Sequence, residues 1–189
     1  KSRGRKVMVY VCHSGKYDYI ARFRSAADFF NTEQGENLRV AGFYSTPPAG
    51  MTAWKEKDGS VKNRDFHIFA DAKNRKAKLL GVLPNADAVI INAKAVETGL
   101  NLREFPTLVY LEMPYSVGTF RQSAARSWRP GQTKPVDVHV FINAGTLQMA
   151  ALTLVAAKLA QDNRIRVNST WGELRNQLWV MTSTTSSPK

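Results

Sequence analysis

The stretch Ala86-Asp87-Ala88-Val89-Ile90-Ile91-Asn92 is apolar at nearly every position. A strand that meets water on one face alternates apolar and polar residues. A near-continuous apolar run is what a central parallel strand needs, because helices cover both of its faces. On the N-terminal side, residues 7–12 and 38–44 are two further short β-rich runs, and on the C-terminal side residues 107–113 and 136–143 are two more. Segments of helical period lie between them. Residues 17–31 repeat Tyr19, Ile20, Phe23, Ala27 and Phe30, with Asp18 early. Residues 74–83 set Ala77, Leu80 and Leu83 or Leu79 on one side, and residues 146–161 repeat Ala150, Leu154 and Ala157. Strand and helix alternate, so the expected class is α/β, a mostly parallel sheet with right-handed crossovers. Ligands of such sheets sit beyond the carboxyl ends of the strands.

Residues 122–132 read Gln-Ser-Ala-Ala-Arg-Ser-Trp-Arg-Pro-Gly-Gln. On a helix at about 100° per residue, Gln122, Arg126 and Arg129 fall within roughly 60° of one another. Phe120, Ala124 and Trp128 take the opposite side. Thr119 and Gln122 have capping-box spacing, which predicts the start of the helix there. Pro130-Gly131 predicts its end, with Arg126 on the last turn and Arg129 at its edge. Two planar, permanently charged guanidinium groups at one helix end suit a group that gains negative charge, such as a phosphoryl group in transfer.

The chain has 189 residues and a net charge of +12 with a sequence pI near 10.0. That charge favours polyanions as partners. No apolar run has the length of a membrane span, so no membrane partner is expected. A single cysteine, Cys12, excludes an intramolecular disulfide and points to a reducing compartment, the cytoplasm or, in a eukaryote, the nucleus. No metal is assigned: His67 and His139 stand far from partners at ligand spacing. His13-Ser14-Gly15-Lys16 follows a strand, but the P-loop pattern Gly-x-x-x-x-Gly-Lys-Ser/Thr occurs nowhere in the chain. The first residue is Lys1, and the chain is expected to be part of a longer protein. Residues 45–70 break the α/β rhythm and are read as an insertion, with a hairpin at Asp58-Gly59. The tail is expected to carry one short helix, capped at Thr170 to Glu173 and containing Trp171, Leu174 and Leu178, followed by a Ser/Thr-rich disordered end from residue 182.

Ile91-Asn92-Ala93-Lys94-Ala95-Val96-Glu97-Thr98-Gly99-Leu100-Asn101-Leu102 resembles motif V of superfamily-two helicases, closest to the Swi/Snf-like translocase branch. Residues 122–132 resemble motif VI of that branch, Gln-x-x-x-Arg-x-x-Arg-x-Gly-Gln. Residues 6–12 are similar to motif IV, and residues 146–158 to the helix after motif VI. The resemblance runs from about Lys6 to Leu159. It departs from the family where Asn92-Ala93 replaces the usual Ser-Thr and where Trp128 replaces a common histidine.

The resemblance implies a RecA-like, P-loop NTPase-type lobe, a mostly parallel sheet with helices on both faces. That domain would occupy residues 1–162, with residues 163–189 as an extension. It implies one half of a two-lobed ATP-dependent helicase or DNA translocase. ATP and Mg²⁺ would be held mainly by an N-terminal RecA-like lobe outside this chain. The catalytic residues would be Arg129, as arginine finger, and Arg126, as its phosphate-contacting companion. Gln122, Gly99 and Asn101 would lie against ATP; Asn92, Ala93 and Lys94 would approach nucleic acid, DNA ahead of RNA. This chain alone would not hydrolyse ATP. A second reading is a non-enzymatic nucleic-acid-binding module that keeps the lobe fold, which the net charge fits equally well. An unrelated nucleotide-binding α/β enzyme would need a glycine-rich fingerprint that the chain lacks.

Overall fold

The structure, a computed structural model, describes residues 4–13, 17–45, 67–69, 73–96, 100–143, 145–165 and 178–183. Its strands are β1 (Val7–Val11), β2 (Val40–Tyr44), β3 (His67–Phe69), β4 (Ala88–Asn92), β5 (Thr107–Tyr110), β6 (Asp137–Asn143) and β7 (Leu178–Ser183). Its helices are α1 (Tyr19–Gln34), α2 (Arg75–Val82), α3 (Val117–Ala124) and α4 (Leu147–Ile165), with a 3₁₀ turn at Ala93–Val96. The strands form one sheet in the order β3-β2-β4-β1-β5-β6-β7, and every pairing is parallel. The apolar run that suggested a central strand is β4, hydrogen-bonded between β1 and β2.

Side chains alternate across the sheet and feed two cores. Met8, Tyr10, Val89, Ile91, Leu108 and Tyr110 face Leu79 and Leu83 of the α2 segment, Phe120 and Ala124 of α3, and Val155 of α4. Val9, Val11, Ala88 and Ile90 face Ile20 and Ala27 of α1. The handedness rule explains the division. The crossover from β1 to β2 runs one way across the sheet, while those from β3 to β4 and from β5 to β6 run the other way. Right-handed connections then place α1 on one face and α2 and α3 on the opposite one.

Local chemistry sets the helix ends. Asp18 caps α1 by accepting the Ala21 N–H at 3.0 Å, and Gly35 ends it with φ of 62°. The arginine-bearing helix differs from its sequence reading at both ends. Its cap is Ser116, whose hydroxyl accepts the Thr119 N–H at 3.2 Å, so Thr119 is already inside the helix. It ends at Ala124. The N–H groups of Arg126 and Ser127 reach back only three residues, to Ser123 and Ala124, at 3.3 and 3.2 Å. That tightened turn releases the backbone ahead of Pro130, so Arg126 and Arg129 both lie beyond the helix.

Other expectations shift too. β3 lies within the range read as an insertion and pairs with β2, while the proposed Asp58-Gly59 hairpin is outside the described residues. Among the described side chains of α4, Ala151 and Val155 are buried, whereas Ala150, Leu154 and Ala157 are exposed. That helix is apolar on most of its circumference, so spacing alone did not pick the side. The tail helix expected from Thr170 lies largely outside the described residues, but Leu178 and Thr182 belong to β7, paired with β6. The boundary expected between residues 162 and 163 falls within α4. No helix among the described residues is long and apolar enough to cross a membrane.

Candidate functional site

A buried polar cluster seats α3 on the sheet. The Tyr10 hydroxyl donates to the Ser123 carbonyl at 3.2 Å. Tyr110 and Ser123 join their hydroxyls at 2.6 Å, and Ser123 Oγ passes a bond on to the Thr119 carbonyl at 2.7 Å. The Tyr10 and Tyr110 rings lie 4.9 Å apart, and Tyr110 and Phe120 are at the same separation. Burial comes first among the causes that push both phenols above their usual range. They stay neutral and can donate, as this network requires.

Beyond α3 the chain meets both the end of the 3₁₀ turn, at Val96, and Leu102. Arg126 Nε donates to the Val96 carbonyl at 3.2 Å, and the Arg126 carbonyl accepts the Leu102 N–H at 2.9 Å. The two sequence motifs are thus joined through one residue, by its side chain and by its backbone. Arg126 is half-buried, while Gln122, Arg129 and Asn101 are exposed. Burial first, and then the neighbouring Arg129 charge, lower the Arg126 pKa from its ordinary value. The two like charges repel, which is why the second lowers the pKa of the first. Gly99 lies outside the described residues.

Asn92 ends β4, and Lys94 lies on the 3₁₀ turn that also carries Val96. They line a concavity of about 270 Å³ at the carboxyl edge, with Cys12, His13, Tyr115 and Ser116. Asn92 Nδ2 donates to the Cys12 carbonyl at 2.8 Å, and its Oδ1 accepts the Lys94 N–H at 3.0 Å. That side chain therefore shapes the turn, and Lys94 is exposed on the rim. The 3₁₀ turn that carries Lys94 also carries Val96, whose carbonyl Arg126 Nε meets, so the two motifs adjoin through that turn.

Two participants were not legible in the sequence. Glu112 is buried, and its Oε2 accepts the N–H groups of Cys12 and His13 at 2.7 and 2.9 Å. Its Oε1 lies 2.7 Å from His13 Nδ1. No spacing rule links residues so far apart in sequence. The Cys12 thiol beside it is pushed up to about 11, mainly by burial and then by the Glu112 charge, so it is protonated at neutral pH. Gln132 was visible as the last residue of its motif, although nothing local announced its partners. Its side-chain amide donates to the carbonyls of Arg103 at 2.8 Å and Ser127 at 3.1 Å.

No family model matches the chain. Among curated proteins it is 31% identical over 101 residues to the putative helicase 172L of Invertebrate iridescent virus 6, covering 53% of this chain and 15% of that protein. It is 30% identical over 101 residues to the TATA-binding protein-associated factor BTAF1 of Arabidopsis thaliana, covering 53% of this chain and 5% of that protein. It is 31% identical over 83 residues to the DNA repair and recombination protein RAD54 of Oryza sativa subsp. japonica, covering 42% of this chain and 8% of that protein. The match therefore spans a small part of each relative. Among solved structures, the C-terminal part of the Fun30 ATPase domain superposes with a TM-score of 0.53 at 15% identity, over 82% of this chain and 40% of that one. In sequence motifs and in its RecA-like fold, the chain resembles the C-terminal lobe of superfamily-two helicases of the Swi/Snf-like branch.

Proposed function

We propose that this chain is the second motor lobe of an ATP-dependent helicase or DNA translocase, and that Arg129 is its arginine finger. The observation that carries the reading is the pair at the end of α3. Arg129 is exposed, and Arg126 is anchored to the Val96 carbonyl with its charge beside that of Arg129. Bound ATP with Mg²⁺ would supply the phosphoryl group on which negative charge grows during transfer. The protein's part is electrostatic: Arg129 meets that charge across the cleft, and Arg126 holds a second positive charge next to it. Gln122 and Asn101, both exposed, would orient the nucleotide, with Gly99 in the same role. The phosphates and metal would be cradled mainly by an N-terminal lobe, since this sequence has no P-loop pattern. This chain by itself is then inactive as an ATPase. Lys94, on the rim of the carboxyl-edge concavity, contacts the backbone of nucleic acid, DNA in preference to RNA, and Asn92 shapes the turn that carries it. The reading places the protein in the nucleus of a eukaryote, or in the cytoplasm otherwise.

The test is Arg129→Ala in the intact protein. ATPase stimulated by nucleic acid should fall by about 10³–10⁵, while nucleic-acid affinity stays within a few-fold. The net charge of +12 fits one competing reading equally well, a binding module without ATPase. Under it, replacing Arg126 and Arg129 together with alanine would weaken nucleic-acid binding, and no ATPase would be there to lose.

A further inference from the structure

Arg129 stands on the connection between α3 and β6, and that connection is held from behind. The Gln132 backbone N–H donates to the Arg129 carbonyl at 2.9 Å, closing a turn over Pro130 and Gly131. The Gln132 side chain then works in both directions. Its Nε2 donates to the Ser127 carbonyl at 3.1 Å and to the Arg103 carbonyl at 2.8 Å, and its Oε1 accepts the Lys134 N–H at 3.1 Å. One amide therefore ties the residue two before Arg129, the residue five after it, and the strand-entry segment ahead of β5. Arg103 closes the loop from outside by donating to the Pro130 carbonyl at 3.3 Å. Its guanidinium fills the space that a Cβ on Gly131 would enter, and Gly131 has a φ of 88°. The loop thus has a glycine where the backbone angle requires one.

A guanidinium on a long flexible stem is useful in transfer chemistry only if its backbone is held in place beforehand. We propose that Gln132 is the positioning residue for Arg129, acting through the 127–132 loop with the Arg103 segment as anchor. This rests on the reading of Arg129 as the finger. The amide chemistry is specific. Nε2 satisfies two carbonyls while Oε1 satisfies an N–H, and a carboxylate in its place would turn an oxygen toward those same carbonyls.

The test uses the intact protein with Gln132→Leu and Gln132→Glu. Amide hydrogen exchange without ATP should speed up by roughly tenfold or more across residues 126–134, with β1 and α1 unchanged. The kcat of the stimulated ATPase should fall by on the order of 10², with KM for ATP and nucleic-acid affinity within a few-fold. In an Arg129→Ala background, Gln132→Leu should remove nothing further, because the two act as a unit. Unchanged exchange in residues 126–134 overturns the proposal whatever the kinetics do. Faster exchange with unchanged kcat, or a further loss in the Arg129→Ala background, overturns the route through Arg129. Failure of the functional reading has a separate signature, full kcat in Arg129→Ala alone. The exchange result then still decides whether Gln132 holds the loop.

Discussion

Ser123 has no charge and no place in a family motif role, yet the site depends on it. Its Oγ takes the Tyr110 hydroxyl and gives to the Thr119 carbonyl, and its own carbonyl takes the Tyr10 hydroxyl. All three side chains are fully buried, so the hydroxyls have no water to fall back on. Ser123→Ala should cost about 1–3 kcal/mol, because it leaves the buried Tyr110 phenol only the Phe120 carbonyl at 3.4 Å in place of its 2.6 Å partner. Adding Tyr110→Phe should cost less than the sum of the two single changes, since the poorly paired donor is then gone. Chemical denaturation of the three variants checks this, and strictly additive costs would mean that the two hydroxyls do not act together. Arg126 shows the same logic with charge: it is read from the sequence as a phosphate contact, and the fold also gives its Nε the Val96 carbonyl.

At the scale of elements, Asp18 governs how α1 enters the second core. One carboxylate oxygen caps the helix at Ala21, and both oxygens lie within 3.0 Å of the Tyr44 hydroxyl at the end of β2. Burial, followed by that bond to Asp18, pushes the Tyr44 phenol above its usual range. Asp18→Ala removes the cap and the cross-link together, and a cost of about 1–3 kcal/mol is expected. Asp18→Asn keeps an oxygen for the cap and should recover at least half of that loss in thermal or denaturant unfolding. Equal losses would assign the effect to charge alone. The position of α1 was legible because Asp18 and the apolar period are local signals. The ends of α3 were not. Ser116 and Thr119 both offer a hydroxyl at plausible spacing, and past Ala124 the Arg126 and Ser127 carbonyls are taken by the Leu102 N–H and the Gln132 side-chain amide, ahead of Pro130.

Over the whole molecule, Lys and Arg outnumber Asp and Glu by 27 to 15. Contacts to a nucleic-acid backbone release counterions, so affinity of the intact protein should fall steeply with salt. For six to ten phosphate contacts, the loss between 50 and 200 mM salt is about 10³–10⁵. Binding titrations across that range measure the slope, and a flat dependence would argue against phosphate contacts as the main grip. The sequence by itself determined the α/β class, a central strand within residues 86–92 and two arginines just ahead of Pro130. Those features rest on periodicity and residue type, which act over a few neighbouring positions. Only the tertiary structure decided that Arg126 meets Val96 and Leu102, that Gln132 braces the arginine loop, and that Glu112 gathers the end of β1. Each of these depends on parallel crossovers that bring residues dozens of positions apart to one hydrogen bond, and no local pattern in the chain encodes that meeting.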